Sequence, residues 1–194
     1  MDAEKPGLDL PPYSMDVQAM ELGADTKAVG LELIETESRE PLRGSEAAAI
    51  WAAALGVLPG SEPWVVDFFS HLDRIREFCK SHNIEYREPA SRCLVVPQPP
   101  QEAFRQLLSR FEAETFGLRA GAAAQSGDAE LENELSHRGL DAYQAAYPRY
   151  AFCAVCDLSD AWVTVLSESL WPSEVIRRVR PALQPFDVYI ARPQ

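Results

Sequence analysis

Apolar residues recur at every second position in some stretches of this chain and at every third or fourth in others, and the two periods predict strands and helices respectively. Val29, Leu31 and Leu33 alternate with Gly30, Glu32 and Ile34, a strand pattern broken by Pro41 and Gly44. Ser45 is placed to cap a helix over 46–55 that Gly56 ends. Val65, Phe68, Phe69, Leu72, Ile75 and Cys79 form the clearest 3.6-residue stripe, which predicts a core helix over 62–81 with Asp67, Ser70, Arg74 and Glu77 facing away. Short strands follow over 84–87 and 92–96. Phe104, Leu107, Leu108 and Phe111 predict a helix over 101–116. Leu131, Leu135, Leu140 and Tyr143 predict another over 129–146, weakened at Gly139 by about 1 kcal/mol relative to alanine.

The C-terminal stretch is the most legible. Residues 150–156 and 161–166 read as a hairpin about a turn at 157–160. Pro172 suits the first turn of a helix running to about Leu183, buried through Val175, Ile176, Val179 and Leu183 and frayed by Pro181. Phe186, Val188 and Ile190 alternate as a last strand. The expected class is α+β, with short antiparallel strands, among them a C-terminal β-β-α-β unit, packed against several helices on one side. Residues 1–27 read as a mobile acidic N-terminal arm, with Pro6, Pro11 and Pro12 and few large apolar residues. An α/β sub-domain is expected over 28–116 and a linker or loop of small residues over 117–128. Residues 129–194 then hold a helix and the C-terminal unit, unless 28–194 form one continuous domain.

Charge narrows the function. The chain has 194 residues and a net charge of −12. That balance argues against binding nucleic acid by phosphate neutralisation and against docking on anionic membranes. Residues 1–40 carry ten acids and three bases, net −7, whereas 146–194 carry five of each, net zero. No apolar run approaches the roughly 18 residues that span a bilayer. Neither a basic n-region nor an apolar h-region opens the sequence, so a cytoplasmic setting with reduced thiols is expected. Fifteen arginines against three lysines, with abundant alanine and proline, suit a GC-rich bacterial genome.

Candidate chemistry is sparse. Cys153 and Cys156 form a C-x-x-C inside an expected strand, where positions three apart face opposite ways; buried thiols are the reading, and no metal site is expected. Glu134 and His137 form an E-x-x-H on a helix, in a polar row with Asp141. His71 and Asp67 make a second acid–base sketch. Both sets are candidate catalytic groups, the first also readable as a solvated helix face. No glycine-rich phosphate loop occurs, so no cofactor is expected. Arg177, Arg178 and Arg180 form a basic cluster beside Trp171, read as pairing with the chain's own carboxylates or gripping an acidic partner. With Trp162 these residues are the candidate binding groups. The expectation is a non-catalytic cytoplasmic interaction or regulatory protein with a protein partner. The alternatives are a small enzyme using Glu134, His137 and Asp141 or His71 and Asp67, and a ligand-binding domain with an apolar pocket lined by Trp162, Phe152 and Phe186.

Overall fold

Nine strands hydrogen-bond into one mostly antiparallel sheet in the computed structural model, which describes residues 10–22, 27–58, 64–68, 71–90, 93–97, 101–110, 115–121, 127–137 and 140–191. The strands are β1 (Tyr13–Glu21), β2 (Lys27–Glu35), β3 (Trp64–Phe68), β4 (Arg87–Ala90), β5 (Cys93–Pro97), β6 (Thr115–Ala120), β7 (Phe152–Asp157), β8 (Trp162–Leu166) and β9 (Val188–Ala191). Their order is β4-β5-β3-β6-β7-β8-β2-β1-β9. Six helices accompany them among the described residues: α1 (Gly44–Gly56), α2 (Leu72–Ser81), α3 (Gln101–Arg110), α4 (Asp128–Leu135), α5 (Leu140–Ala146) and α6 (Pro172–Leu183). The class is therefore mixed α+β. No described helix is long and apolar enough to cross a membrane.

Strand alternation sorts side chains to two faces. On one face Met15, Leu31, Phe68, Leu94, Phe116, Phe152 and Val163 are buried against Trp51 and Leu55 of α1, Leu107 of α3 and Val175 and Val179 of α6. On the other face Val65, Val95, Cys153 and Leu166 meet Leu131 and Leu135 of α4 and Tyr143 and Ala146 of α5. Helices thus cover both faces, not one, because β3, β5, β6 and β7 bury side chains on both sides.

Several sequence expectations change. The arm expected over 1–27 is a strand over 13–21: Met15 and Val17 alternate inward, and β1 pairs antiparallel with β2 and parallel with β9. Residues 1–9 and 23–26 lie outside the described residues. The helix expected over 62–81 is two elements, β3 and α2. A strand buried on both faces offers apolar residues at nearly every position, and Val65 and Phe68 then imitate helical spacing by accident. Phe116 belongs to β6, not to a helix begun at Gln101. The helix expected over 129–146 is divided into α4 and α5. The linker expected over 117–128 falls partly on β6, in the middle of the sheet; 122–126 lie outside the described residues. Pro181 sits inside α6 without ending it. β9 leaves its hairpin neighbours and crosses to β1, so the β-β-α-β stretch is not a closed unit, and β1 and β2, at nine residues each, are not short.

Candidate functional site

The face covered by α4 and α5 holds a chain of alternating charges. β3 and β6 are neighbours with Asp67 opposite Gly117 and Val65 opposite Arg119. Alternation points Asp67 and Arg119 to the same side, and both are fully buried. Arg119 Nη1 donates to Asp67 Oδ2 at 2.6 Å and its Nε donates to Glu134 Oε1 at 2.6 Å. The Tyr143 hydroxyl donates to Asp67 Oδ2 at 2.9 Å, and its ring lies 4.2 Å from the Arg119 guanidinium carbon. Tyr150 donates to Glu134 Oε1 at 3.0 Å, and Arg149 bridges Glu134 Oε2 at 3.1 Å to Glu130. The row reads Asp67, Arg119, Glu134, Arg149, Glu130, running from the sheet to the surface.

Room for it is made by Gly117. A Cβ there would stand 1.5 Å from the Tyr143 hydroxyl oxygen and 2.3 Å from its ring carbon Cζ. Burial works against the Arg119 charge, but Tyr143, Asp67 and Glu134 outweigh it and raise its pKa. Burial first, then Asp67, raises that of Tyr143; burial and Glu134 do the same to Tyr150. Both phenols therefore stay protonated donors, and the carboxylates between them are engaged rather than held ready as bases. The arrangement ties α4 and α5 to the sheet.

A cavity of about 470 Å³ opens beside this row, lined by Asn133, Glu134, His137, Asp141, Ala142 and Arg149 among others. The structure thus brings Glu134, His137 and Asp141 to one cleft. Glu134 is committed to Arg119, Arg149 and Tyr150. His137 is exposed, with Nδ1 3.2 Å from the Asn133 carbonyl oxygen, the position of a group closing the end of α4. His71 and Asp67 differ sharply in setting: His71 is exposed ahead of α2 in the left-handed region (φ 51°), whereas Asp67 is sealed beneath the helices. Trp162 and Phe152 stand on opposite faces of the sheet, so with Phe186 they do not line one apolar pocket.

The remaining candidates are mostly paired or buried. Cys153 and Cys156 face opposite sides, and both are free. Burial pushes the Cys153 thiol up to about 12 and Cys79 up to about 11. Iodoacetamide at about pH 8 is expected to leave Cys79, Cys153 and Cys156 unmodified in the native protein and to modify all three in denaturant, read by peptide mass mapping. Native labelling of any of them would mean that the sheet opens there. Arg177 and Arg178 both donate to Glu174, whose carboxyl their hydrogen bonds lower to about 2, and Arg178 also donates to the Leu58 carbonyl. This is the internal pairing expected from the acid excess. Arg180 is exposed without a partner among the described residues. Trp171 is about half exposed, with Lys27 Nζ 4.6 Å from its ring centroid.

The apolar cluster beneath α4 and α5 ends near Ala28, Leu166 and Met20. Beyond it the same face of the sheet continues over β8, β2, β1 and β9. There the register sets Trp162 opposite Glu32 and Glu32 opposite Asp16. Both carboxylates are half-buried, and neither has a hydrogen-bond or ion-pair partner among the described residues. The Trp162 indole packs against Gly30, where a Cβ would meet its Cζ2 at 2.6 Å, and donates to Thr164 Oγ1 at 2.9 Å. Tyr189 of β9, opposite Ser14, is 55% exposed on this side.

No family model, curated protein or solved structure matches this chain. Function rests on the geometry alone. Trp162 was legible as a binding candidate; Asp16, Glu32 and Tyr189 were not, although Asp16 alternates with the inward Met15 and Val17 once β1 is recognised as a strand.

Proposed function

We propose that this chain is a non-catalytic binding protein that holds a basic protein partner on the part of its sheet beyond α4 and α5. The observation that carries the reading is the direct cross-strand opposition of Asp16 and Glu32. Like charges so placed destabilise a sheet, and half-burial sharpens the cost. A lysine or arginine from a partner relieves it. The neighbouring Trp162 offers an indole face to the same cation, and Tyr189 adds aromatic contact area. Asp67 and Glu134 point the same way by contrast: where this fold needs carboxylates for itself, it supplies arginines. An acid excess of −12 steers a basic partner toward the protein. A cytoplasmic setting suits the free thiols.

The test uses the protein immobilised in lysate of its native host, followed by titration of the captured protein in purified form. A basic partner is expected, with an affinity that falls as salt rises. The double substitution Asp16→Lys/Glu32→Lys is expected to weaken it about 10- to 100-fold, with circular dichroism unchanged. Undiminished binding by that variant would defeat the reading. A second reading, a small-molecule site in the α4–α5 cleft, is favoured only by the convergence of Glu134, His137 and Asp141 on one cavity.

A further inference from the structure

The two edges of the sheet are built differently. Strand β4 reads Arg-Glu-Pro-Ala: its Glu88 accepts from Arg76 at 2.7 Å, its Pro89 has no N–H to offer, and its register with β5 shifts between Arg87 and Ala90. Charge, proline and a register shift are the devices that stop an edge from accepting another strand. Strand β9, as short as β4, reads Val-Tyr-Ile-Ala and carries no charge, proline or register shift. It pairs with β1 over four register positions without a shift, leaving its outer side as the end of the sheet among the described residues. A groove of about 840 Å³ runs beside it, lined by Pro11, Arg180, Pro181, Gln184 and Asp187 together with the strand.

We infer that β9 pairs with β9 of a second copy of this chain, joining two nine-stranded sheets into one across a two-fold axis. Charge permits a second copy at this edge and opposes one on the exposed face of β1 and β2. The acids of the chain concentrate in residues 1–40, and the exposed face of β1 and β2 carries Asp16 and Glu32, so two copies meeting there repel. The β9 groove instead carries one cation and one anion, Arg180 and Asp187, both exposed and neither with a partner among the described residues; residues 146–194 sum to zero. The strand itself bears no charge.

Symmetry then restricts the register. A two-fold axis relating antiparallel neighbours stands perpendicular to the sheet, so each face continues across the junction. Side chains directly opposite must share a face. Ile190 is buried on the α6 side and Tyr189 points to the other. Of the registers this allows, the one with Tyr189 on the axis covers the exposed Tyr189 ring with Tyr189 of the second copy, and sets Val188 against Ile190 on either side. The exposed Tyr189 ring becomes half of an aromatic cross-strand pair.

Light scattering coupled to size exclusion at micromolar protein tests this with the full chain. The wild-type protein is expected at twice its 21.6 kDa mass. Tyr189→Lys sets like charges on the axis and is expected at the single mass with its circular dichroism intact, since residue 189 is exposed. Tyr189→Cys is expected to form an intermolecular disulfide under mild oxidant, seen as a doubled band on a non-reducing gel that the wild-type chain lacks. A wild-type monomer at these concentrations, or a Tyr189→Lys dimer, overturns the inference. Tyr189 also borders the surface proposed for the basic partner, so the two readings are separated by Asp16→Lys/Glu32→Lys, which leaves β9 untouched: it is expected to lose the partner and keep the doubled mass.

Discussion

Replacing Arg119 with methionine is expected to lower the unfolding free energy by about 3–5 kcal/mol, the range found when one partner of a buried ion pair is removed. Methionine fills much the same length, so the loss comes from charge rather than from a hole. Asp67 loses its guanidinium and keeps the Tyr143 hydroxyl, and Glu134 keeps Arg149 and Tyr150. Adding Asp67→Leu is expected to recover part of the loss, because the buried carboxylate that the guanidinium neutralised disappears with it. Urea denaturation of the wild-type, single and double variants checks this. A single variant within about 1 kcal/mol of wild type would mean that water reaches Asp67 and that the pair is not sealed.

Gly117→Ala is expected to be comparably damaging for a steric reason. Overpacking usually costs about 1–3 kcal/mol and sometimes more. Here the added methyl has no room to settle, since Tyr143 is pinned by Asp67 and Arg119 in a fully buried site. The distances decide which second change helps. Tyr143→Phe removes the oxygen at 1.5 Å but leaves Cζ at 2.3 Å, so it is expected to rescue little. Tyr143→Leu withdraws the ring end and is expected to restore some stability to the Gly117→Ala protein while lowering that of the wild type. Thermal melts of the four proteins form the double-mutant cycle that measures this coupling. Additive effects would show that α5 shifts freely over β6.

The sequence was most legible where one segment supplies its own evidence. Proline and four apolar residues at helical spacing gave α6 its bounds, and alternation on either side of a short turn gave β7 and β8. It was least legible where the evidence sits elsewhere in the chain. β1 looks like a loose acidic arm until β9 and β2 flank it. Val65, Asp67 and Phe68 look helical because β3 is buried on both faces. Asp67, expected to face water, is the most deeply held carboxylate, since its cation comes from residue 119 and its hydroxyl from residue 143. Of the candidate site, Glu134, His137 and Asp141 were legible as one helical row, and they line one cleft. That Glu134 is already neutralised by Arg119 was not, because a strand and a helix 15 residues apart give no periodic signal.

The pairing of Glu32 with Trp162 sets a delay on the newborn polypeptide. A ribosome finishes the first hairpin, β1 with β2, early, yet the neighbour that completes it on one flank is 130 positions downstream, and the neighbour on the other flank, β9, comes later still. Throughout that interval Met15, Leu31 and Leu33 form an oily ribbon with open backbone on both margins. Such a ribbon is what holdase chaperones bind, so yield in a cell-free translation should respond to added trigger-type chaperone more steeply than refolding of the finished chain does.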